Sequence, residues 1–359
     1  MDQNLNLDDL DYMRAIDRSD MLSHIDALPD QFVNAWGLAQ TLPLPDTHLR
    51  PRRIVLCGMG GSAIGGDLTV ALIGHTSPVP FLVLRGYELP AWVTGRETLV
   101  IASSHSGDTE ETLSATEQAV ERGVQVLAIT TGGRLAKHAK THGYPVWTFD
   151  YKSQPRAALG WSFGLLIGLV HRLGLAPALE DDLQEAVAIL RAKQAIYGAG
   201  SPTPNNPAKR GAGQLIGRIP VFYGAGIFEP VVRRWKCQFN ENSNVWAQYE
   251  VMPEANHNTV VGISFPAEHM INMAAVFITS REFDHPRVSL RHDLTFRLCL
   301  ENAIMADKFR PEGRSALAQM CHAIQYGDYM SFYTAIAYGA DPTEIAPIVE
   351  LKEQLAAHT

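Results

Sequence analysis

CysGlyMetGlyGlySerAlaIleGlyGlyAsp, Cys57 to Asp67, is the stretch that most limits what this chain can fold into. It follows the apolar, β-rich run Arg53 to Cys57 and opens an amphipathic run closed by Gly74, which predicts a strand, a glycine loop and a helix from Ser62 to Ile73. SerSerHisSerGlyAspThrGluGlu, Ser103 to Glu111, repeats the arrangement after a second buried run, Thr98 to Ser103. Loops of this kind offer backbone N–H groups and the positive end of a helix dipole. The second adds the hydroxyls of Ser104, Ser106 and Thr109. Together they read as a phosphate cradle.

Several ligands are disfavoured. Gly58, Gly60 and Ala63 fill the GxGxxG/A positions, but the one acidic candidate after the next strand, Glu88, stands in GlyTyrGluLeuPro, poorly placed for a ribose. No GxxxxGK[ST] run is present, so a nucleoside triphosphate is not favoured. A glycine cluster alone is equally a tight turn that lets a helix pack close on a sheet. The Ser/Thr loop shifts the reading toward a phosphate monoester. A formal net charge of −8 with no basic run argues against nucleic acid as partner. Cys57, Cys237, Cys299 and Cys321 lack metal-ligand spacing, so buried thiols are expected rather than a zinc site or a disulfide framework. An acidic, polar start and the absence of an apolar run of about 18 residues predict a cytoplasmic protein with no membrane partner.

The 359 residues, 46% of them hydrophobic, are enough for two domains. Residues 1–50 carry Leu7, Leu10, Met13 and Ile16, then Phe32, Ala35, Trp36 and Leu38, at helical spacing and predict a helical arm or lid. Strands at Val79 to Leu84 and Val124 to Thr130, with a helix from Thr109 stopped by Gly123, complete a β-loop-α alternation. Such alternation makes a parallel sheet covered on both faces, with ligands beyond the strand C-termini. Pro155 and Arg156 open a buried helix, another runs from Glu180 to Tyr197, and the Pro- and Asn-rich residues 201–211 predict a linker. From Arg218, ArgIleProValPheTyrGlyAlaGly repeats the grammar of ArgArgIleValLeuCysGlyMetGly, which indicates an internal duplication. The predicted division is therefore an arm (1–50), a first αβα half (51–200) and a second (212–359). Two C-terminal helices close the chain, Ala316 to Tyr338 and Thr343 to His358, the latter started by a capping box of Asp341, Pro342 and Glu344.

Six ordered blocks carry a family resemblance: GlyMetGlyGlySerAlaIleGlyGlyAsp, SerHisSerGlyAspThrGluGluThr, ProArgAlaAlaLeuGly, ArgTrpLysCysGlnPheAsnGluAsn, ProGluAlaAsnHisAsn, and GlyAspTyr…TyrGlyAlaAspProThr…LeuLys. From about residue 50 to 352 they resemble the bifunctional phosphoglucose/phosphomannose isomerases of the sugar-isomerase (SIS) domain superfamily. The resemblance implies two stacked SIS-type αβα sandwich subdomains with parallel sheets, plus the N-terminal arm and C-terminal helices. It implies a sugar 6-phosphate held by Ser104, Ser106 and Thr109, with Gly61 and Ser62 lining the same crevice. Glu241 would move the proton between C1 and C2, Arg156 would stabilise the enediolate, and His257 and Lys352 would serve ring opening. No metal or other cofactor is implied, and the histidine would come from the neighbouring subunit of a homodimer. The chain departs from the pattern at Thr259, where an acidic residue is common, and at His105, where a tyrosine is frequent.

Elementary chemistry agrees with those roles. Moving a proton α to a carbonyl needs a carboxylate base and a cation where the enediolate charge develops. Each residue has a plainer reading beside it. Glu241 sits between two asparagines, an odd core residue, and Lys236 and Arg233 are badly spaced to pair with it on one helix. His257 alone would read as a loop histidine, and Lys352 as a solvated charge near a helix end. Two rival functions remain at this level. A non-catalytic SIS sugar-phosphate sensor would carry a basic recognition helix, which the first 50 residues lack. Another SIS sugar-phosphate isomerase, such as one acting on aminosugars, would carry a glutaminase or a different acid-base set.

Overall fold

The computed structural model describes residues 6–176 and 179–358. Three helices precede the first strand: α1 (Leu10–Ile16), α2 (Met21–Asp26) and α3 (Leu28–Thr41). There follow β1 (Arg53–Cys57), α4 (Gly60–Ile73), β2 (Phe81–Leu84), β3 (Thr98–Ser103), α5 (Glu110–Glu121), β4 (Gln125–Thr130), α6 (Gly133–His142), β5 (Val146–Thr148), α7 (Leu159–Arg172) and α8 (Leu179–Tyr197). The remainder is α9 (Pro207–Leu215), β6 (Ile219–Ala225), α10 (Glu229–Asn242), β7 (Gln248–Met252), α11 (Ala267–Met270), β8 (Met273–Ile278), α12 (Pro286–Glu301), β9 (Met305–Phe309), α13 (Ala316–Tyr338) and α14 (Ala346–Ala356). Two compact units result. One comprises Ala27–Arg191 with Glu312–His322; the other comprises the chain up to Asp26, Ala192–Pro311 and Ala323–Thr359.

In the first unit the sheet order is β2-β1-β3-β4-β5, and every neighbouring pair is parallel. All six residues of β3 are buried, as expected of a central strand covered on both faces. The chain leaves β1 toward β2 and returns on the other side of β1 to form β3, so the switch point of the sheet lies between β1 and β3. The loops after these two strands are the two glycine- and serine-bearing stretches of the sequence. Helix α3 belongs to the core of this unit rather than to a lid. Gly160, Gly164 and Gly168 of α7 form a stripe of close approach, on which a Cβ would stand 2.5 Å, 2.7 Å and 2.4 Å from the Cβ atoms of Gln31, Ala35 and Ala39. Phe32, Ala35 and Ala39 are fully buried as a result.

The second unit has the order β7-β6-β8-β9, again all parallel. Matching β6, β7, β8 and β9 to β1, β2, β3 and β4 in turn makes the two orders identical, so the duplication read from the sequence is real in topology, with no counterpart of β5 among the described residues. Two local expectations are corrected. Residues 201–211 are not an open linker, because α9 starts inside them with the Asn206 side chain capping it through the N–H groups of Ala208 and Lys209. The last helix starts at Ala346, not Thr343: Asp341 accepts the Thr343 N–H at 2.9 Å, a turn bond that satisfies the capping side chain without a helix after it.

Candidate active site

The loop after β3 is built by its own hydroxyls. Ser104 Oγ lies 2.9 Å from Thr109 Oγ1 and accepts the Gly107 N–H at 3.0 Å, so the residues at both ends of the loop face one another. Ser104 is buried, Thr109 half-buried and Ser106 exposed, its Oγ accepting the Asp108 N–H at 3.2 Å. Thr109 ends in extended backbone at the N-cap of α5, so the first turn of that helix opens directly onto the loop. Buried Ser62, at the start of α4, accepts the His105 N–H at 3.1 Å and ties the two glycine- and serine-bearing loops together. The sequence-predicted phosphate ligands Gly61 and Ser62, in the first turn of α4, and Ser104, Ser106 and Thr109, in the loop after β3, thus lie on two linked segments at the switch point of one sheet.

Arg156 joins them from the same unit. It lies in a single helical turn, Pro155–Ala158, that leads into α7, and only 3% of it is exposed. Gly61 is where this turn crosses the glycine loop: a Cβ there would meet the Pro155 carbonyl oxygen at 2.7 Å and the Arg156 nitrogen at 3.1 Å. Gln31 of α3 also holds the turn, donating to the Ala157 carbonyl at 2.8 Å and accepting the Gly160 N–H at 3.0 Å. The backbone on either side of Arg156 is therefore held in place, and the residue itself is buried, so its cation is kept out of water at the edge of the glycine loop.

The remaining predicted residues belong to the other unit, on three separate elements. Glu241 is half-buried at the end of α10, where a carboxylate faces the negative end of the helix dipole and so does not stabilise the helix. Its neighbour Asn240 donates to the Val245 carbonyl at 2.8 Å, closing the helix end. His257 is exposed at the end of the short helical turn Glu254–His257. Both flanking asparagines are engaged: Asn256 donates to Thr295 Oγ1 and Asn258 to the Glu254 carboxylate, each at 2.8 Å. That explains AsnHisAsn as a pinned loop presenting an imidazole outward. Lys352 is exposed on α14, of which no residue is buried.

Sequence reasoning passed over the second layer of the cradle. The His105 carbonyl accepts from both the N–H and the hydroxyl of Thr131, at 3.0 Å and 2.7 Å, and Asp108 accepts the Arg134 N–H at 3.0 Å. ThrThrGlyGlyArg after β4 was the available signal, a third glycine loop at the same sheet edge. The His105 ring packs edge-on against Phe149 at 5.7 Å, and burial lowers its pKa, so the ring is neutral at pH 7. Among the described residues no group of three His, Cys, Asp or Glu side chains is arranged to hold a metal ion, and no helix is long and apolar enough to cross a membrane.

Comparison with known proteins gives the family. The SIS domain family model matches residues 49–144, and the model of the bacterial phospho-glucose isomerase C-terminal SIS domain matches residues 204–355. A bifunctional phosphoglucose/phosphomannose isomerase of Caldicellulosiruptor bescii is 38% identical over 94% of this chain and 99% of its own length. One of the same description from Aquifex aeolicus is 34% identical, covering 85% of this chain and 91% of its own. The solved structure of a hypothetical protein from Thermus thermophilus superposes with a TM-score of 0.73 at 17% identity, over 97% of this chain and 94% of that one, and shares the fold.

Proposed function

This chain belongs to the bifunctional phosphoglucose/phosphomannose isomerase family, and from that premise we propose that it interconverts glucose 6-phosphate, and mannose 6-phosphate, with fructose 6-phosphate. It is an aldose-ketose isomerase. The observation that carries the substrate class is the hydroxyl-lined loop from Ser104 to Thr109 opening onto the first turn of α5, which suits a phosphate monoester.

On this reading Glu241 takes the proton from C2 of the opened aldose and returns it to C1, and the reverse for the ketose. The electron pair left behind is delocalised as an enediolate, whose developing charge Arg156 stabilises. His257 and Lys352 move the protons of ring opening. The proton is held by protein groups throughout, so neither a metal nor an organic cofactor enters. The exposed imidazole on a pinned loop supports the further assignment that His257 serves the site of a second copy in a homodimer.

The test offers glucose 6-phosphate and mannose 6-phosphate separately, reading fructose 6-phosphate, with wild type and Glu241→Gln. Loss of the base should lower kcat by about 10²-fold or more. In D₂O, wild type with fructose 6-phosphate should place deuterium at C2 of the aldose, and the variant should not. Binding of sugar phosphate without turnover or exchange by the wild type would replace this reading with that of a sensor.

A further inference from the structure

The GlyAspTyr block, Gly327 to Tyr329, has no part in the chemistry above, yet it faces α10 with an unusual density of buried polar contacts. Asp328 takes both arms of Arg234, Nε to Oδ1 at 3.1 Å and Nη2 to Oδ2 at 2.7 Å, and also the Gln238 side-chain amide at 3.0 Å. One turn further along both helices, Asn242 donates to Ser331 Oγ at 3.0 Å and Ser243 Oγ to the Ser331 carbonyl at 2.7 Å. Ser331 Oγ in turn donates to the Asp328 carbonyl at 2.8 Å, which joins the two levels. Gly327 completes the contact. The Trp235 indole lies where its Cβ would be, 2.1 Å from the nitrogen, and donates to the Ala323 carbonyl at 2.9 Å. Asp328, Arg234, Gln238, Asn242 and Ser331 are all at least nine-tenths buried.

These contacts fix one degree of freedom in particular. Apolar contact is non-directional, whereas a bidentate ion pair and an amide ladder accept one rotation only. Glu241 and Asn242 both follow Gln238 by about one turn, at i+3 and i+4, so Glu241 lies on the margin of the clamped face. A roll of about 20° would move a side-chain end carried about 5–6 Å from the helix axis by about 2 Å.

We propose that Asp328 and Ser331 are positioning residues for isomerisation, which set the rotation of α10 and thereby the aim of the Glu241 carboxylate. This rests on the assignment of Glu241 as the proton-transfer base, and the experiment separates the two. Kinetics are measured for Asp328→Asn and Ser331→Ala, each in the wild-type and the Glu241→Gln background, together with inhibition by inorganic phosphate. Asp328→Asn should lower kcat by about 10-fold or more and Ser331→Ala several-fold, since about 1 Å of misplacement costs about 10²-fold. The phosphate inhibition constant should stay the same. In the Glu241→Gln background both substitutions should lose their effect, because there is no base left to misplace. Equal fractional losses in both backgrounds, or a parallel weakening of phosphate inhibition, would overturn the positioning role. If Asp328→Asn does not fold, Ser331→Ala, a small change at the second level of the clamp, completes the cycle alone. Full activity of Glu241→Gln by itself would remove the base assignment, and the positioning role with it, before the cycle is read.

Discussion

Gly61→Ala tests whether the glycine loop after β1 and the turn carrying Arg156 act as one piece. The added Cβ would stand 2.7 Å from the Pro155 carbonyl oxygen, where ordinary contact begins near 3.4 Å, so the turn must retreat by 3.4 − 2.7 = 0.7 Å. The obstacle is backbone, so no side-chain rotation relieves it, and the Gln31 bond to Ala157 resists movement of the turn. Overpacking of this kind costs about 1–3 kcal/mol of stability. Misplacing a catalytic group by about 1 Å costs about 10²-fold, so 0.7 Å scales to about 25-fold in kcat. The assay is steady-state conversion of glucose 6-phosphate, run beside thermal unfolding. Gly123→Ala is the control: its φ of +65° strains alanine as well, by about 1–2 kcal/mol, but open space surrounds it at the end of α5. The control should lose stability and keep its kcat. Gly61→Ala with kcat at the level of the control would refute the coupling of the two segments.

Three further outcomes are expected. Ser106→Ala should raise KM more than it lowers kcat, and sulfate should compete with substrate at millimolar levels, because phosphate binding is largely uniform between ground and transition states; an unchanged KM would take the loop out of the site. Activity should survive exhaustive EDTA treatment, since the proposed mechanism gives the proton to Glu241 and the charge to Arg156; loss restored by zinc would sink that mechanism. His292→Phe should change the pH dependence of stability. Burial pushes the His292 imidazole down to about 4 from 6.5, with Lys308 adding to the effect, so the folded state loses stability as pH falls from 6.5 toward 4. Burial pushes nearby Asp284 up to about 6 from 3.8, so that group gains stability over the fall from 6 to 3.8 and partly offsets the loss. Neither His292 nitrogen has a hydrogen-bond partner among the described residues, and the ring packs edge-on against Phe277, a contact phenylalanine keeps. The variant's advantage in urea midpoint should therefore be larger at pH 5 than at pH 7.5, and a pH-independent difference would contradict the shift.

What the sequence determines by itself is what short-range physics decides. Buried β-rich runs ending in Gly58 and in Ser104 become β1 and β3 because a strand, its terminal loop and the next helix start are specified within a dozen residues or so. The repeated grammar at Arg218 reports the duplicated sheet order for the same reason. Local signals fail where a local alternative is as good: Asp341 satisfies its carboxylate on a turn, and three-residue β5 is too short to show a period. Tertiary structure alone decides the role of the N-terminal helices, since α3 is an element of the first unit's core only because the glycine stripe of α7 accepts it. It also decides what holds the candidate catalytic groups. Gln31 reaches Ala157 across 126 residues of chain and Asp328 reaches Arg234 across 94, and no pattern within either segment encodes its partner. Side-chain identity marks the groups that carry charge or protons, but their aim depends on contacts that form only when distant segments pack, because an N–H or a carboxylate is satisfied by whatever the fold brings within 3 Å or so.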